Sequence, residues 1–100
     1  MSLPLIVRPS AEADIQAIHE YLETVQPGLE RQFAAQLRDV FERVETAPLT
    51  CGVIWNDVRA VRVRRFQYVM YYKLCDDRIE VLAVLHGARQ ESLWKSRTES

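Results

Sequence analysis

Residues Val58 to Leu74 read VRAVRVRRFQYVMYYKL, a CDDR turn follows at 75–78, and IEVLAVLHGAR runs from Ile79 to Arg89. The hydrophobic period in this stretch is two, the period of a strand. Val61 and Val63 fall on one face of the first strand, with Arg62 and Arg64 on the other. On the second strand Val69 and Tyr71 oppose Tyr68, Met70 and Tyr72. Ile79 to Leu85 is apolar on both parities, so this third strand is expected to be internal and covered on both faces. Three consecutive strands joined by short turns form an antiparallel sheet.

Upstream the period changes to that of a helix. Leu3 to Val7 is a short apolar run, read as a first strand that ends at Pro9-Ser10. Ser10 is placed to cap a helix, and Glu12 and Asp14 lie in its first turn, where the helix dipole favours acids. Ile15, Ile18, Leu22 and Val25 make the apolar stripe of this helix. Gln26-Pro27-Gly28 breaks it. In a second helix Leu29, Phe33, Leu37, Val40, Phe41 and Val44 form one face, and Pro48 stops it. So short a break predicts an antiparallel helix pair. Thr50 to Asp57 reads as a loop carrying Trp55. Residues 90–100 are polar, with Leu93 and Trp94 as docking points. The expected class is α+β in the order β-α-α-β-β-β, a helical hairpin packed on an antiparallel sheet.

A chain of 100 residues is expected to be one domain, spanning 1–100, with one core. No apolar run approaches the ~20 residues needed to span a bilayer. The first residues lack a basic region ahead of an apolar core and a cleavage site, so a cytoplasmic protein without a membrane partner is expected. Cys51 and Cys75 make no CxxC pair and read as reduced thiols serving as small hydrophobes. The net charge is −1, but the two halves differ. Residues 1–50 carry four basic and eight acidic side chains, a net of −4. Residues 51–100 carry nine basic and six acidic, a net of +3. From Val58 to Leu74 there are five basic residues and no acid. One face therefore carries a positive field that the overall charge hides.

Two constellations can carry function. Arg59, Arg62, Arg64 and Arg65 each carry a fixed charge and a planar fork that grips phosphate or carboxylate. Spaced along a strand face, they would follow a nucleic-acid backbone or an acidic peptide. The bland alternative is a solvated face paired with acids of the helices. His86 stands at a strand end, three residues before Arg89. Such a pair is equipped to act as acid or base beside a phosphate clamp in RNA cleavage. The bland alternative is a structural His closing the strand, with Gly87 turning the chain. His19 adjoins Ile15 and Leu22 and reads as a packing or surface residue. No metal-ligand spacing and no dinucleotide or phosphate-loop motif is present, so no cofactor and no metal is expected. Tyr68, Tyr71 and Tyr72 can stack on bases, but aromatic residues in a sheet usually belong to the core.

The order of these pieces resembles the ParE/RelE toxin superfamily of bacterial toxin–antitoxin and plasmid-stabilisation modules. The resemblance rests on VRPSAEADIQAIHEYL at the first helix, PGLERQF and PLTCG around the second, the VRAVRVRRFQYVMYY hairpin and the closing IEVLAVLHGAR. It covers nearly the whole chain and implies the helical-hairpin-on-sheet fold. It also implies a cognate antitoxin partner, in a toxin–antitoxin hetero-oligomer. The superfamily divides by activity. RelE-like members cut mRNA on the ribosome with basic residues on the sheet and a C-terminal Tyr or His. ParE-like members lack that set and poison DNA gyrase by binding, without being enzymes. Here the chain beyond Arg89 reads QESLWKSRTES, with no Tyr or His. The HGAR ending is more similar to ParE-like members. On that branch Arg59, Arg62, Arg64, Arg65 and Arg89 are target-binding residues and none is catalytic. On the RelE-like branch His86, Arg62, Arg64 and Arg89 would form the ribonuclease site.

Overall fold

The computed structural model describes residues 3–87 and 91–98. Its elements are β1 (Leu5–Val7), α1 (Pro9–Val25), α2 (Leu29–Thr46), β2 (Val53–Trp55), β3 (Val58–Arg62), β4 (Tyr68–Leu74), β5 (Ile79–His86) and α3 (Glu91–Arg97). The five strands form one sheet in the order β1-β5-β4-β3-β2. The three expected hairpin strands pair antiparallel, while β1 pairs parallel with β5. Parallel pairing results from connectivity: the chain leaves β1, crosses α1, α2 and three strands, and returns to the edge beside it.

Two elements depart from the sequence expectation. The segment around Trp55, expected as a loop, is the edge strand β2, paired with β3 around Asn56. The polar segment after residue 90 contains the helix α3; its Trp94 docks against the sheet as expected, whereas Leu93, the other expected docking point, is exposed. Ser10 does not cap α1. The helix begins two residues earlier, with Arg8 at the cap and Pro9 in the first turn, where its missing N–H leaves nothing unsatisfied. The Ser10 hydroxyl instead donates to the Leu82 carbonyl at 3.3 Å.

Gly28 precedes helix α2 as its cap and holds φ +100°, a conformation that a side chain would strain. The Glu30 carboxylate accepts from the Gly28 N–H at 2.8 Å. Main-chain donors, its own amide first, hold that carboxyl below the usual carboxylate range. The apolar stripe of α2 is buried at Phe33, Leu37, Val40 and Val44, as its spacing predicts. That of α1 is buried at Ile18 and Leu22, but Val25 at the helix end is exposed.

The core has two sides. The helix-facing cluster joins the helical stripes to Val61, Val63, Tyr68, Met70, Tyr72, Ile79, Val81 and Val84. The second face holds Val58, Tyr71, Leu82 and Ala83 under Trp94, flanked by Trp55, Val69 and Leu85. Trp94 stacks on Tyr71 at 4.8 Å and meets Trp55 edge-on at 5.9 Å. Strand β5 is internal and covered on both faces, as its double apolar parity indicates. A register shift against Tyr71 and Tyr72 turns both Leu82 and Ala83 to the second face. Such a bulge re-aims side chains without breaking the strand.

Candidate functional site

The β3–β4 hairpin carries the arginines. Its shape is fixed by two main-chain bonds, Val63 N–H to the Tyr68 carbonyl at 2.9 Å and Phe66 N–H to the Val63 carbonyl at 3.2 Å. Hydrophobic anchors sit on either side of the turn. Val63 is fully buried. The Phe66 ring meets Phe33 of α2 edge-on at 5.4 Å, and Phe33 in turn meets Tyr68 at 5.4 Å. Each such aromatic pair contributes about 0.5–1.5 kcal/mol beyond the area it buries. The turn is therefore a rigid platform pinned to α2.

The four arginines do not share one face. Arg59 lies opposite Tyr72 in the register, on the helix side, and its Nη1 donates to the Cys51 carbonyl at 2.6 Å. Arg62 leaves β3 on the second face, opposite Val69, and its Nε reaches the Phe66 carbonyl at 3.4 Å. Strand β3 ends at Arg62. Alternation therefore stops, and Arg64 turns towards the helix side instead of continuing the Arg62 face. There it lines a groove of about 550 Å³ with Gln36, Asp39, Val40, Arg43 and Thr46 of α2. Arg65 stands exposed in the turn with φ +68°. Arg89 falls outside the described residues. The structure thus gathers Arg62, Arg64 and Arg65 around one turn and sets Arg59 apart as a tie to the loop after α2.

His86 is exposed at the end of β5, opposite Tyr68. Its ring meets the Tyr68 ring edge-on at 5.4 Å. Because Tyr68 belongs to the helix-facing cluster, His86 projects on that side of the sheet, away from the face that Arg62 leaves. The main chain beside it is tied to the hairpin, since the Gly87 N–H donates to the Gln67 carbonyl at 2.8 Å. Burial, and then the neighbouring Tyr21 phenol, push the Tyr68 phenol up. Burial first, then Cys51, raises the Tyr72 phenol, whose hydroxyl donates to the Pro48 carbonyl at 2.7 Å. Both tyrosines are core residues that stay protonated. Tyr71 lies under Trp94. All three rings are therefore taken up by packing and are not stacking platforms for bases.

Among the described residues, no three or more His, Cys, Asp or Glu side chains are grouped to hold a metal ion. Cys51 and Cys75 are free and half-buried. No helix among the described residues is long and apolar enough to cross a membrane.

One set of charged residues escaped the sequence reading. Beyond Val7, strand β5 has no β1 neighbour, and side chains take over the pairing. Ser10 bonds the Leu82 carbonyl and Asp14 accepts the Val84 N–H at 3.0 Å. Asp14 also holds Arg97 of α3 in a two-pronged pair at 2.6 and 3.2 Å. Arg8 donates to Glu80 at 2.6 and 2.9 Å and to the Arg97 carbonyl at 2.9 Å. Arg78 completes the network at 2.7 Å from Glu80. The Arg8 hydrogen bonds, together with those of Arg78, hold the Glu80 carboxyl below its ordinary value. A signal for part of this set lies in the chain: Ser10 and Asp14, four apart, stack on one face of α1.

Known proteins share this fold. The model of the family described as ParE toxin of type II toxin-antitoxin system, parDE, matches residues 5–91. The chain belongs to the ParE toxin family. It is similar to Toxin ParE2 of Mycobacterium tuberculosis, 27% identical over 88 residues, spanning 87% of this chain and 84% of the relative. The same identity and coverage hold for ParE2 in a second strain of that organism. In fold it resembles a chain of the chromosomal ParDE toxin–antitoxin system from P. aeruginosa, with a TM-score of 0.76 at 14% identity. That likeness covers 86% of this chain and 97% of the other. A mutant of the E. coli toxin RelE in the free state aligns with a TM-score of 0.73 at 15% identity, covering 99% and 97%. Family and fold together place the chain among type II toxins of the ParE/RelE superfamily. Membership of the ParE family implies an antitoxin partner.

Proposed function

We propose that this ParE-family chain is a toxin that binds and poisons DNA gyrase and is neutralised by its cognate antitoxin in the cytoplasm. The observation that carries the reading is the separation of His86 from Arg62. A ribonuclease of this fold needs an acid or base beside a phosphate-binding cation. Here the exposed imidazole rests edge-on against Tyr68 on the helix side, the side to which Arg64 also turns, while Arg62 leaves β3 on the other face, so the cations of a phosphate clamp are divided between the two faces of the sheet. The same guanidinium groups suit docking, because binding needs no convergence on a single reacting atom. The match to a ParE family model over residues 5–91 supports the same reading.

A gyrase supercoiling assay with the purified chain is the direct test. The expected result is loss of supercoiling with accumulation of cleaved DNA, reversed by the antitoxin. Unimpaired supercoiling at micromolar toxin would overturn the gyrase reading. Cut mRNA in a translating extract, abolished by His86→Ala, would establish the ribosome-dependent nuclease in its place.

A further inference from the structure

The β3–β4 turn contains a backbone conformation that its residue type disfavours. In the turn Val63–Phe66 the third position, Arg65, has φ +68° while Arg64 keeps a negative φ. A positive φ at that position is the signature of a type II turn, which favours Gly or Asn. The neighbouring β2–β3 turn obeys the rule: its left-handed residue is Asn56, at φ +50°. An Arg in the left-handed region is strained by the contact of its Cβ with the main chain. Strain of this kind persists where the surroundings over-determine it, and it concentrates at functional contacts.

The charge at the same place is also without an ion-pair partner among the described residues. Among the described residues, Arg62, Arg64 and Arg65 form no ion pair with a carboxylate, although Asp39 and Glu42 line the groove that Arg64 enters. Arg62 is drawn in to the turn by its bond to the Phe66 carbonyl. Three fixed positive charges thus crowd one short turn of main chain. The apolar side chain of the tip, Phe66, is turned inward onto Phe33. A protein interface is built round buried apolar anchors, and this tip offers none to a partner. A polyphosphate backbone needs no such anchor: it supplies closely spaced negative charge and releases counterions as the guanidinium groups replace them.

We propose that the β3–β4 turn is a nucleic-acid contact, with the strained Arg65 set against a backbone phosphate and Arg62 and Arg64 flanking it. The proposal rests on the gyrase reading and deepens it by giving the toxin its own grip on the DNA, and it is tested apart from gyrase.

The probe is a fluorescein-labelled duplex of about 20 base pairs, long enough to present two turns of phosphate backbone, titrated with the full chain at several salt concentrations. Arg65→Gly removes both the strain and the charge. It should raise the thermal midpoint by roughly 4–8 °C. It should also weaken duplex binding about tenfold and lower the slope of log affinity against log salt by about 1. Arg65→Lys should restore the slope without the gain in midpoint. Arg38→Gln, which removes one exposed charge from α2, should leave the duplex affinity unchanged. Several results would overturn the proposal: no binding of the duplex by the wild type at low salt, an unchanged slope in Arg65→Gly, or an equal loss in Arg38→Gln. Lost binding of Arg65→Gly to DNA-free gyrase with duplex affinity intact would mark an acidic protein surface as the partner, and would equally overturn it. Supercoiling assays report on the gyrase reading separately, so either claim can fail while the other stands.

Discussion

Arginines at the two ends of this molecule behave in opposite ways. At the β5 edge, Arg8, Arg78 and Arg97 are matched by Glu80 and Asp14, with partners up to 83 residues apart in sequence. At the β3–β4 turn, Arg62, Arg64 and Arg65 have no carboxylate partner among the described residues. The β5 edge uses charge to finish a sheet that β1 covers only as far as Val7. The turn keeps charge free at a cost in backbone strain. The contrast teaches that Arg content alone does not mark a binding face. What separates a structural arginine from an available one is whether the fold has brought an acid to it.

Substitutions on both sides sharpen the contrast. The largest effect is expected at the edge. Asp14→Ala removes the carboxylate paired with Arg97 and leaves the Val84 N–H without its acceptor, and should cost about 3 kcal/mol in urea denaturation. A loss below about 0.5 kcal/mol would mean that the edge is held by main chain alone. Acid should act on the same region. The folded-state pKa of Glu80 is lowered by Arg8 and Arg78, so its contribution is fully present above the unfolded value of about 4.3. That contribution is lost as pH falls through the lower folded value. Wild type should therefore destabilise on acidification below about pH 4 more steeply than Glu80→Gln, as read by thermal melts across pH.

Smaller effects of the opposite sign are expected at the turn. Arg65→Gly should stabilise by about 1 kcal/mol, since Gly adopts a left-handed φ freely. Destabilisation by that variant would mean that the guanidinium has a structural task. The smallest change belongs to Arg64→Ala, which should move stability by less than about 0.5 kcal/mol, because no hydrogen bond or ion pair from the described residues holds its side chain. A loss of about 2 kcal/mol or more there, the size expected of a buried contact, would erase the distinction between the two ends.

Much of the fold was legible in the chain. The helical stripes, the alternation on β4 and the double parity of β5 each reflect local geometry and predicted the burial observed, apart from Val25 at the end of the α1 stripe, which is exposed. Trp55 and Trp94 were harder to place. Neither lies in a periodic run, yet they meet across the second face of the sheet with Tyr71 between the layers. Their segments gain order from that contact, which no local pattern encodes. The arginine segment was legible as charge but not as geometry. Alternation from Val61 to Arg64 predicts a shared face for Arg62 and Arg64, whereas the strand ends at Arg62 and the turn redirects Arg64 towards α2. Of His86 and Arg89, paired by their spacing in the chain, His86 rests its ring against Tyr68, and Arg89 lies outside the described residues.

By itself the sequence determined the types of β1, α1, α2, β3, β4 and β5, most of their buried stripes and the separation of charge between the two halves. These depend on spacing along one element, and an α-helix or a strand maps spacing onto faces by its own period. Only the tertiary structure decided which charges are matched and which are free. Asp14 and Arg97 meet because β5 runs beyond its β1 partner, and Arg65 stands exposed in a turn whose Phe66 is packed inward onto Phe33 of α2. Pairing depends on distances between elements, and those are set by packing, not by the order of residues along any one of them.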